Sequence, residues 1–388
     1  MRVPPGVKPS DFQAAVKKFQ AAVGKEWVFT EDDDVDLYRD AYSPFWHEDG
    51  KEIVPSAAVA PDSAEEVQAV VRIANEYKIP IYPVSTGRNL GYGGSAPVLS
   101  GSVVLDLKRM NRVIEVNERN AYALVEPGVS YFDLYHYIQD KGYKLWIDCP
   151  DPGWGSPIGN ALDHGAGFTV TPYRDHFDAH CGMEVVLANG EIVRTGMGAL
   201  PGAKTWQQFK YGYGPFVDGI FSQSNFGVVT KMGFWLYPQP EAYREGIVNV
   251  MKHDDIIPLV DGMANLMNSG IMNSSTLLGS PFRFAAGRDP KLVELLLRSD
   301  DEAKEQLNAH AAEMKIPFWS SRLKFYGPEK VIAAQWDHAK DVFKDIPGVT
   351  FEEGESWRFP LTKEQIAKCR DETDLGIPSL SIFSIGAR

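Results

Sequence analysis

The sequence predicts an α+β protein that folds into two domains. Its 388 residues exceed what a single hydrophobic core usually supports. Strand-like and helix-like apolar patterns alternate over the first 126 residues, and a run of consecutive short strands favours α+β over a doubly wound sheet. Pro238 and Pro240 then mark a change of composition. We therefore expect one domain over residues 1–240 and a second over 241–388.

In the first domain, capping residues precede apolar residues with helical spacing. Ser63 and Glu66 have the spacing of a capping box ahead of an amphipathic helix over 64–77. Asn189-Gly190 predicts the turn of a hairpin that joins strands over 183–187 and 191–195. The other expected elements are helices over 10–23 and 131–140 and strands over 54–60, 79–84, 102–107, 113–116, 121–126 and 227–238.

The second domain shows longer helical patterns and fewer glycine-rich loops. Helices are expected over 254–267, 290–312 and 329–343, and strands over 246–251 and 323–326. This mixture is again typical of an α+β arrangement.

Bulk composition argues against several functional classes. The formal net charge is −13 and no long cluster of lysine and arginine stands out, so no nucleic-acid partner is expected. No apolar run approaches the roughly 18 residues of a membrane span, so no membrane association is expected. The three cysteines are odd in number and widely spaced, which indicates reduced thiols and a cytoplasmic setting. The eight histidines show no ligand spacing, so no metal site is expected.

The most informative segment is a glycine-rich loop between two strand-like runs. It reads STGRNLGYGG over residues 85–94, with glycines at Gly87, Gly91, Gly93 and Gly94. Glycine permits tight turns with positive φ, and successive N–H groups in such a loop suit phosphate oxygens. No lysine follows as in a P-loop, and Pro97 precedes a strand rather than a helix. The residues alone allow a pyrophosphate cradle or a glycine-rich surface turn.

Two further glycine-rich segments follow in the first domain. One runs over 148–175 and contains CPDPGWGS at 149–156, while the other, FSQSNFG at 221–227, leads directly into a strand. One such loop arises easily by chance, but three loops beside strands fit an extended ligand such as a dinucleotide. We therefore favour a dinucleotide site over a set of surface turns.

These segments resemble the vanillyl-alcohol oxidase and p-cresol methylhydroxylase family of FAD-dependent enzymes, which includes eugenol oxidase. The resemblance is carried by residues 85–94, 126–129, 149–156, 159–160, 194–201 and 222–231. It spans 54–238 almost without a break and becomes looser from about 243 onward. It implies an FAD-dependent oxidoreductase whose first domain binds FAD and whose second domain is a cap that shapes the substrate cavity.

The resemblance also implies a reaction and a set of FAD contacts. The substrate would be a para-substituted phenol, such as a 4-alkylphenol, eugenol or vanillyl alcohol. A hydride would pass from its benzylic carbon to flavin N5 and leave a quinone methide, which adds water or loses a proton. The matching FAD-binding residues are Ser85, Thr86, Gly87, Arg88, Asn89, Leu90, Gly91, Gly93, Pro150, Gly153, Ser156, Gly159, Asn160, Asn225, Gly227, Val228 and Val229.

Two residues match catalytic positions of the family. Tyr92 matches a tyrosine that hydrogen-bonds the substrate phenolate, whose negative charge assists departure of the hydride. Asp151 matches an aspartate near flavin N5, where a carboxylate stabilises positive character and acts as a base toward water. Judged without the resemblance, Tyr92 could be a packing residue and Asp151 a turn residue before Pro152.

The substrate pocket departs from the family pattern. Relatives carry a second phenolate-binding tyrosine in a Gly-Tyr-Thr-Pro-Tyr stretch, whereas residues 167–173 here are two residues longer and place Phe168 at that position. Phe168, Tyr173 and a candidate cap arginine, Arg283, are the expected pocket residues. An acidic residue that relatives place after Gly-Ile-Pro aligns with Ile382 here, so that contact is not expected.

Relatives in this family continue beyond the position of Arg388. The residue that bonds covalently to the flavin would lie there, so the mode of FAD attachment is left undetermined. We expect as a partner a C-terminal remainder of the same polypeptide or a second chain. A phenolic substrate, a homodimer and either dioxygen or cytochrome c as electron acceptor complete the expectations. The alternative from another functional class is a truncated flavin-binding protein without catalytic activity.

Overall fold

A computed structural model of the chain describes residues 2–40, 52–89, 94–169, 175–212 and 214–381. Backbone contacts divide the chain into two units. Unit 1 comprises Met1–Gly167, Tyr173–Pro238 and Ile377–Arg388, and unit 2 comprises Phe168–Pro172 and Gln239–Gly376. The long stretch of unit 2 begins at Gln239, close to the expected boundary after residue 240. Two short segments were not expected where they are: Phe168–Pro172 belongs to unit 2 and Ile377–Arg388 belongs to unit 1. The roles expected for the two domains stay predictions.

Unit 1 combines strands and helices in a mixed order. Its strands are β1 (Val28–Phe29), β2 (Ala57–Val59), β3 (Ile81–Val84), β4 (Val103–Asp106), β5 (Val113–Asn117), β6 (Tyr122–Val125), β7 (Leu145–Trp146), β8 (His180–Leu187), β9 (Ile192–Arg194), β10 (Gly227–Trp235) and β11 (Tyr237–Pro238). Its helices are α1 (Pro9–Val23), α2 (Asp32–Val35), α3 (Ala64–Tyr77), α4 (Tyr131–Lys141) and α5 (Pro157–Leu162). The predicted elements of this part of the chain are confirmed, with ends that shift by a few residues.

Two main sheets organise the described residues of unit 1. The first has the order β1-β2-β4-β3, in which β2 and β3 run parallel to β4. The second has the order β5-β6-β10-β8-β9 and is antiparallel, and its β8–β9 pair is the predicted hairpin. Gly190 in the hairpin turn has a φ of +81°, which favours glycine. Strands β7 and β11 form a separate pair.

Helix α3 begins at the cap that the sequence predicts. The Ser63 hydroxyl accepts the Glu66 N–H at 3.2 Å, whereas the Glu66 carboxylate accepts the N–H of Asp62 rather than that of Ser63. The apolar face of α3 packs into a core with α1 and the β1–β4 sheet. The buried residues of that face are Ala64, Val67, Val70, Val71 and Ala74. The cap and the amphipathic spacing determine where α3 begins and which of its faces is buried. This helix directly precedes β3, the strand that leads into the first glycine-rich loop.

Replacing Ser63 by alanine should lower the free energy of unfolding by about 1 kcal/mol, because the Glu66 N–H loses its partner. Urea unfolding followed by circular dichroism measures this change. The control is Ser63→Asp, which keeps a capping oxygen and should unfold at nearly the wild-type midpoint. Equal loss of stability in both variants would contradict the capping role.

Unit 2 is built on one antiparallel sheet. Its strands are β12 (Ala242–Val250), β13 (Leu277–Gly279), β14 (Trp319–Gly327) and β15 (Thr350–Arg358), and their order is β13-β14-β12-β15. Its helices are α6 (Ile256–Asn268), α7 (Pro281–Ala286), α8 (Pro290–Leu296), α9 (Asp301–Met314), α10 (Glu329–Phe343) and α11 (Lys363–Ile366). Helix α10 has the predicted bounds.

The two faces of this sheet differ in chemistry. Alternate residues such as Val248, Leu323 and Phe325 belong to a core that also contains Trp336 and Phe343 of α10. The residues between them point to the opposite face, because side chains alternate along a strand. This polar face carries Tyr243, Glu245, Arg322, Lys324 and Tyr326, with Tyr243 paired with Tyr326 and Glu245 with Lys324 across the strands.

One expected helix is wrong. The pattern over 290–312 predicts a single helix, but the structure has α8 and α9 with a break between them. Asp300 causes the break: its carboxylate accepts the N–H of Ala303 at 3.0 Å and caps a new helix. It is also held by Arg298 at 2.7 Å. An N-capping aspartate inside an apolar pattern therefore marks a helix start that periodicity alone overlooks.

Membrane spans and metal clusters are two features that the described residues lack. Across that part of the chain, no helix is long and apolar enough to cross a bilayer. No group of three or more His, Cys, Asp or Glu side chains there is arranged to hold a metal ion. None of Cys149, Cys181 and Cys369, which all lie in the described ranges, forms a disulfide bond.

Candidate functional site

The first glycine-rich segment folds back on itself at the end of β3. Gly87 has a φ of +66°, and a Cβ there would lie 2.2 Å from Ser95 Oγ. The Ser95 hydroxyl donates to the Gly87 carbonyl at 3.1 Å, and the Gly94 N–H donates to the Asn89 carbonyl at 3.0 Å. The backbone therefore turns so closely that a side chain at Gly87 has no room. Four predicted site residues, Leu90, Gly91, Tyr92 and Gly93, lie outside the described residues.

The second glycine-rich segment runs into the short helix α5. Ser156 caps α5 by accepting the Gly159 N–H at 3.4 Å, and its hydroxyl donates to the Pro127 carbonyl at 2.7 Å. Gly153 packs against Phe132 and Pro378, and a Cβ at Gly153 would lie within 2.9 Å of both. The loop that follows buried Pro150 is thus fixed by α4 on one side and by the segment from Ile377 on the other.

Described residues bring the three glycine-rich segments together within unit 1. The first touches the second where a Cβ at Gly159 would lie 2.4 Å from Ser85 Oγ. Arg88 also lies over the Trp154 ring, 5.4 Å from its centroid. The third reaches the end of α5, where the Gln223 N–H donates to the Leu162 carbonyl at 3.1 Å. The spatial meeting of segments that are far apart in sequence is what an extended ligand requires.

The remaining predicted FAD-contact residues lie at the edges of this assembly. Asn225 is exposed in the third segment, and Gly227, Val228 and Val229 begin β10. Val228 and Val229 are buried in that strand and pair with β8. Because the side chains of Val228 and Val229 pack in hydrophobic cores, only the backbone atoms of these residues are available to a ligand.

Asp151 lies in the second segment with a half-buried side chain. Ser381 donates a hydrogen bond to Asp151 Oδ2 at 2.7 Å, and the Ser379 carbonyl accepts the Gly153 N–H at 2.7 Å. Both contacts lie within unit 1. The carboxylate is therefore held in place by a loop segment 230 residues away in sequence.

A buried polar network next to the second segment was missed by sequence reasoning. His176 Nε2 lies 3.0 Å from Asp148 Oδ2, and His176 Nδ1 contacts Asn160 and, at 3.0 Å, the Tyr131 hydroxyl. The Gly167 N–H donates to Asp148 Oδ2 at 3.1 Å. This network ties the predicted FAD contact Asn160 to the loop before Asp151. The sequence does contain one sign of this network, namely the polar residues that flank each glycine-rich stretch.

Burial holds two neighbouring groups in their neutral forms. It raises the pKa of the Tyr131 hydroxyl well above its usual value, with smaller contributions from Cys149 and Asp148. Burial likewise raises the pKa of the Cys149 thiol, and Asp148 adds to the effect. Tyr131 therefore stays a hydrogen-bonding hydroxyl, and Cys149 is an unreactive thiol rather than a nucleophile.

The residues that are expected to line the substrate pocket differ from one another in burial and in location. Phe168 is half-buried in unit 2, and its carbonyl accepts a hydrogen bond from Lys324. Arg283 is exposed on α7, where its guanidinium lies 5.0 Å from the centroid of the Trp319 ring. This stacking holds the Arg283 side chain against β14 within unit 2, and its pocket role stays a prediction. Tyr173 lies outside the described residues.

Comparison with known proteins identifies the family. Residues 55–196 match the FAD binding domain family. Over 388 residues the chain is 38% identical to the 4-cresol dehydrogenase (hydroxylating) flavoprotein subunit of Pseudomonas putida, a match that covers 99% of this chain and 72% of that protein. The chain belongs to the vanillyl-alcohol oxidase and p-cresol methylhydroxylase family. This family member is also 40% identical over 257 residues to 1'-carboxy-chondrochloren decarboxylase of Chondromyces crocatus, covering 46% of that relative.

Solved structures of family members share the fold. A structure of p-cresol methylhydroxylase with substrate bound has a TM-score of 0.81 at 37% identity, and the match covers 99% of this chain and 73% of that one. An isoeugenol complex of 4-ethylphenol oxidase from Gulosibacter chungangensis has a TM-score of 0.83 at 38% identity, with the same coverage. The predicted α+β fold and the family resemblance are confirmed. This family member is an FAD-dependent oxidoreductase.

The described residues of unit 1 fit the cofactor. At Gly87 and Gly159 a Cβ would crowd a serine hydroxyl, and at Gly167 it would lie 2.3 Å from Asp148, so the close packing favours glycine at all three positions. These positions let backbone from two segments approach closely while the third segment abuts α5. Backbone amides of 85–89 would hold FAD by its phosphates, since glycine-rich loops present N–H groups to anions. The matched FAD binding domain contains both segments.

Proposed function

We propose that this family member oxidises para-alkylphenols at the benzylic carbon. The observation that supports this most is the similarity over nearly the whole chain to a 4-cresol dehydrogenase flavoprotein subunit and to a 4-ethylphenol oxidase. FAD, when bound, supplies the acceptor for the hydride that leaves the benzylic carbon. On this proposal, residues 1–240 form the FAD-binding domain and residues 241–388 the cap domain.

Asp151 has the central role in the proposed chemistry. Its carboxylate, held by Ser381, removes a proton from the water that adds to the quinone methide. Tyr92, which lies outside the described residues, hydrogen-bonds the phenolate oxygen and thereby supports loss of the hydride. Phe168, Tyr173 and Arg283 line the pocket on this proposal, and the Arg283 guanidinium stacks on the Trp319 ring.

The electron acceptor is the second part of the proposal. Dioxygen is our first candidate, as one similar protein is named an oxidase. Cytochrome c is the second candidate, favoured by the relative that is named a flavoprotein subunit of a dehydrogenase. A cationic cytochrome would be attracted to a chain with a net charge of −13. The homodimer and the cytoplasmic location stay predictions.

Turnover with 4-ethylphenol tests the proposed reaction. We expect the benzylic alcohol or the vinylphenol as product, with one peroxide formed per product if dioxygen is the acceptor. Reduction of added cytochrome c without oxygen uptake would select the second acceptor. The matched control is 4-ethylanisole, in which a methyl ether replaces the ionisable hydroxyl and should abolish turnover. Equal oxidation of both compounds would overturn the phenolate mechanism.

A further inference from the structure

A lysine is buried on the polar face of the sheet in unit 2. The side chain of Lys324 on β14 is 1% exposed, although its neighbours Leu323 and Phe325 pack in the apolar core on the opposite face. Burying an ammonium is costly unless it is paired and hydrogen-bonded. A lysine at this position therefore needs both a counter-charge and further acceptors.

Asp374 supplies the counter-charge. Lys324 Nζ donates to Asp374 Oδ1 at 2.8 Å, and Arg322 donates to Asp374 Oδ2 at 2.6 Å. The Tyr326 hydroxyl donates to the Asp374 backbone carbonyl at 2.7 Å. Asp374 is thus fixed by three side chains of β14, and its carboxylate lies between the cations of Arg322 and Lys324.

Lys324 has a second contact, which Arg322 does not share. Its ammonium donates to the backbone carbonyl of Phe168 and lies 5.9 Å from the centroid of the Phe168 ring. Thr169, the next residue, is fully buried, and both residues lie in bends rather than in a helix or strand. Such a segment lacks a regular backbone ladder, so a charge-assisted hydrogen bond to its carbonyl contributes strongly to its geometry.

The rest of the polar face stiffens this arrangement. Glu245 is fully buried and accepts hydrogen bonds from Arg322 and Arg370. Burial raises the pKa of Glu245, but the two arginines outweigh that effect and the net pKa is lowered. Glu245 therefore stays charged and holds Arg322 in the position from which it binds Asp374. The ammonium of Lys324 is oriented by a rigid frame.

We propose that Lys324 is a positioning residue that fixes the carbonyl of Phe168 and, through it, the direction of the Phe168 ring. This inference rests on the proposed function, in which Phe168 lines the phenol pocket. The ring then limits the size of the para substituent that the site accepts. Selectivity among 4-alkylphenols is thereby set partly by a buried lysine that does not itself touch the substrate.

The test compares Lys324→Met with Tyr326→Phe in the FAD-loaded protein. Methionine keeps the length of the side chain but removes the donor to Phe168, whereas phenylalanine at 326 removes only a bond to Asp374. We expect hydrogen exchange in the peptide that contains Phe168 and Thr169 to rise about tenfold in Lys324→Met, as expected for losing one charge-assisted hydrogen bond. Tyr326→Phe should stay within about twofold of wild type.

Kinetics provide the second readout. The ratio of kcat/KM for 4-methylphenol to that for 4-propylphenol should change about five- to tenfold in Lys324→Met, mainly through KM. Lys324→Arg, which keeps a donor, should restore part of the wild-type ratio. If Lys324→Met does not fold, Lys324→Leu, which also removes the donor, carries the same measurements.

Wild-type exchange at Phe168 and Thr169 in a folded Lys324→Met protein would overturn the positioning role. So would increased exchange with an unchanged selectivity ratio. If the wild-type protein oxidises no phenol, the proposed function fails, and the exchange measurement still decides whether Lys324 fixes the Phe168 segment.

Discussion

Replacing Asp151 by alanine should slow reduction of the bound flavin by a para-alkylphenol more than about tenfold, or roughly 1.4 kcal/mol of barrier. The carboxylate lies in the second glycine-rich segment, where Ser381 and the backbone around Gly153 hold it in place. Its negative charge stabilises positive character that develops at the reacting centre, and alanine offers no substitute. Rapid mixing of the oxidised protein with 4-ethylphenol in the absence of oxygen measures the rate.

Ser381→Ala is the matched control for this prediction. It removes the 2.7 Å hydrogen bond to Asp151 but leaves the carboxylate and its charge in place. The rate should therefore fall by no more than about threefold to tenfold, the range for one neutral donor. Unchanged reduction in Asp151→Ala would remove this residue from the mechanism. A loss in Ser381→Ala as large as in Asp151→Ala would show that the geometry, rather than the charge, matters.

Replacing Gly159 by alanine should weaken FAD binding about five- to 150-fold, which corresponds to an overpacking cost of about 1–3 kcal/mol. The new Cβ would lie 2.4 Å from Ser85 Oγ, so the hydroxyl must turn away or the first segment must move. Either change alters the surface that two segments present to the cofactor. Titration of the apoprotein with FAD, followed by the change in flavin fluorescence, measures the dissociation constant.

A second substitution separates this contact from a general defect of α5. In Gly159→Ala/Ser85→Ala the clashing oxygen is gone, and the nearest atoms to the new methyl group are Ser85 Cβ at 3.4 Å and Ser156 Cβ at 3.7 Å. These are ordinary packing distances. The double variant should therefore bind FAD about as well as Ser85→Ala alone. Additive losses would contradict a direct contact between the two segments.

The sequence predicts most accurately those helices that begin at a recognisable capping residue or after a proline. Helix α3 has a capping serine and a single apolar stripe, and α10 follows a proline, so both have the predicted bounds. Strand β15 was missed because its sequence, TFEEGESWR, has no apolar alternation. Its place in the sheet comes from backbone pairing with β12, which no local pattern of β15 reveals.

The features of the candidate site likewise divide into those that the sequence predicts and those that it does not. Glycine-rich segments are visible in the sequence because tight turns demand a residue type, but their meeting in unit 1 depends on contacts between distant residues, such as Ser85 with Gly159 and Gln223 with Leu162. The His176 network and the Lys324–Asp374 pair join residues 28 and 50 positions apart. Each side chain is ordinary by itself, and only the packing of distant elements gives it a partner. Arg322 and Lys324, which alternate with Leu323 and Phe325, are the local sign that β14 has a second, polar face.

The most direct measurement is anaerobic titration of the FAD-loaded protein with 4-ethylphenol while the visible absorbance of the flavin is recorded. We predict that the absorbance is lost in proportion to the phenol added and that 4-ethylanisole causes no change. A flavin band that persists in excess 4-ethylphenol, eugenol and vanillyl alcohol would contradict it and favour a non-catalytic flavin-binding protein.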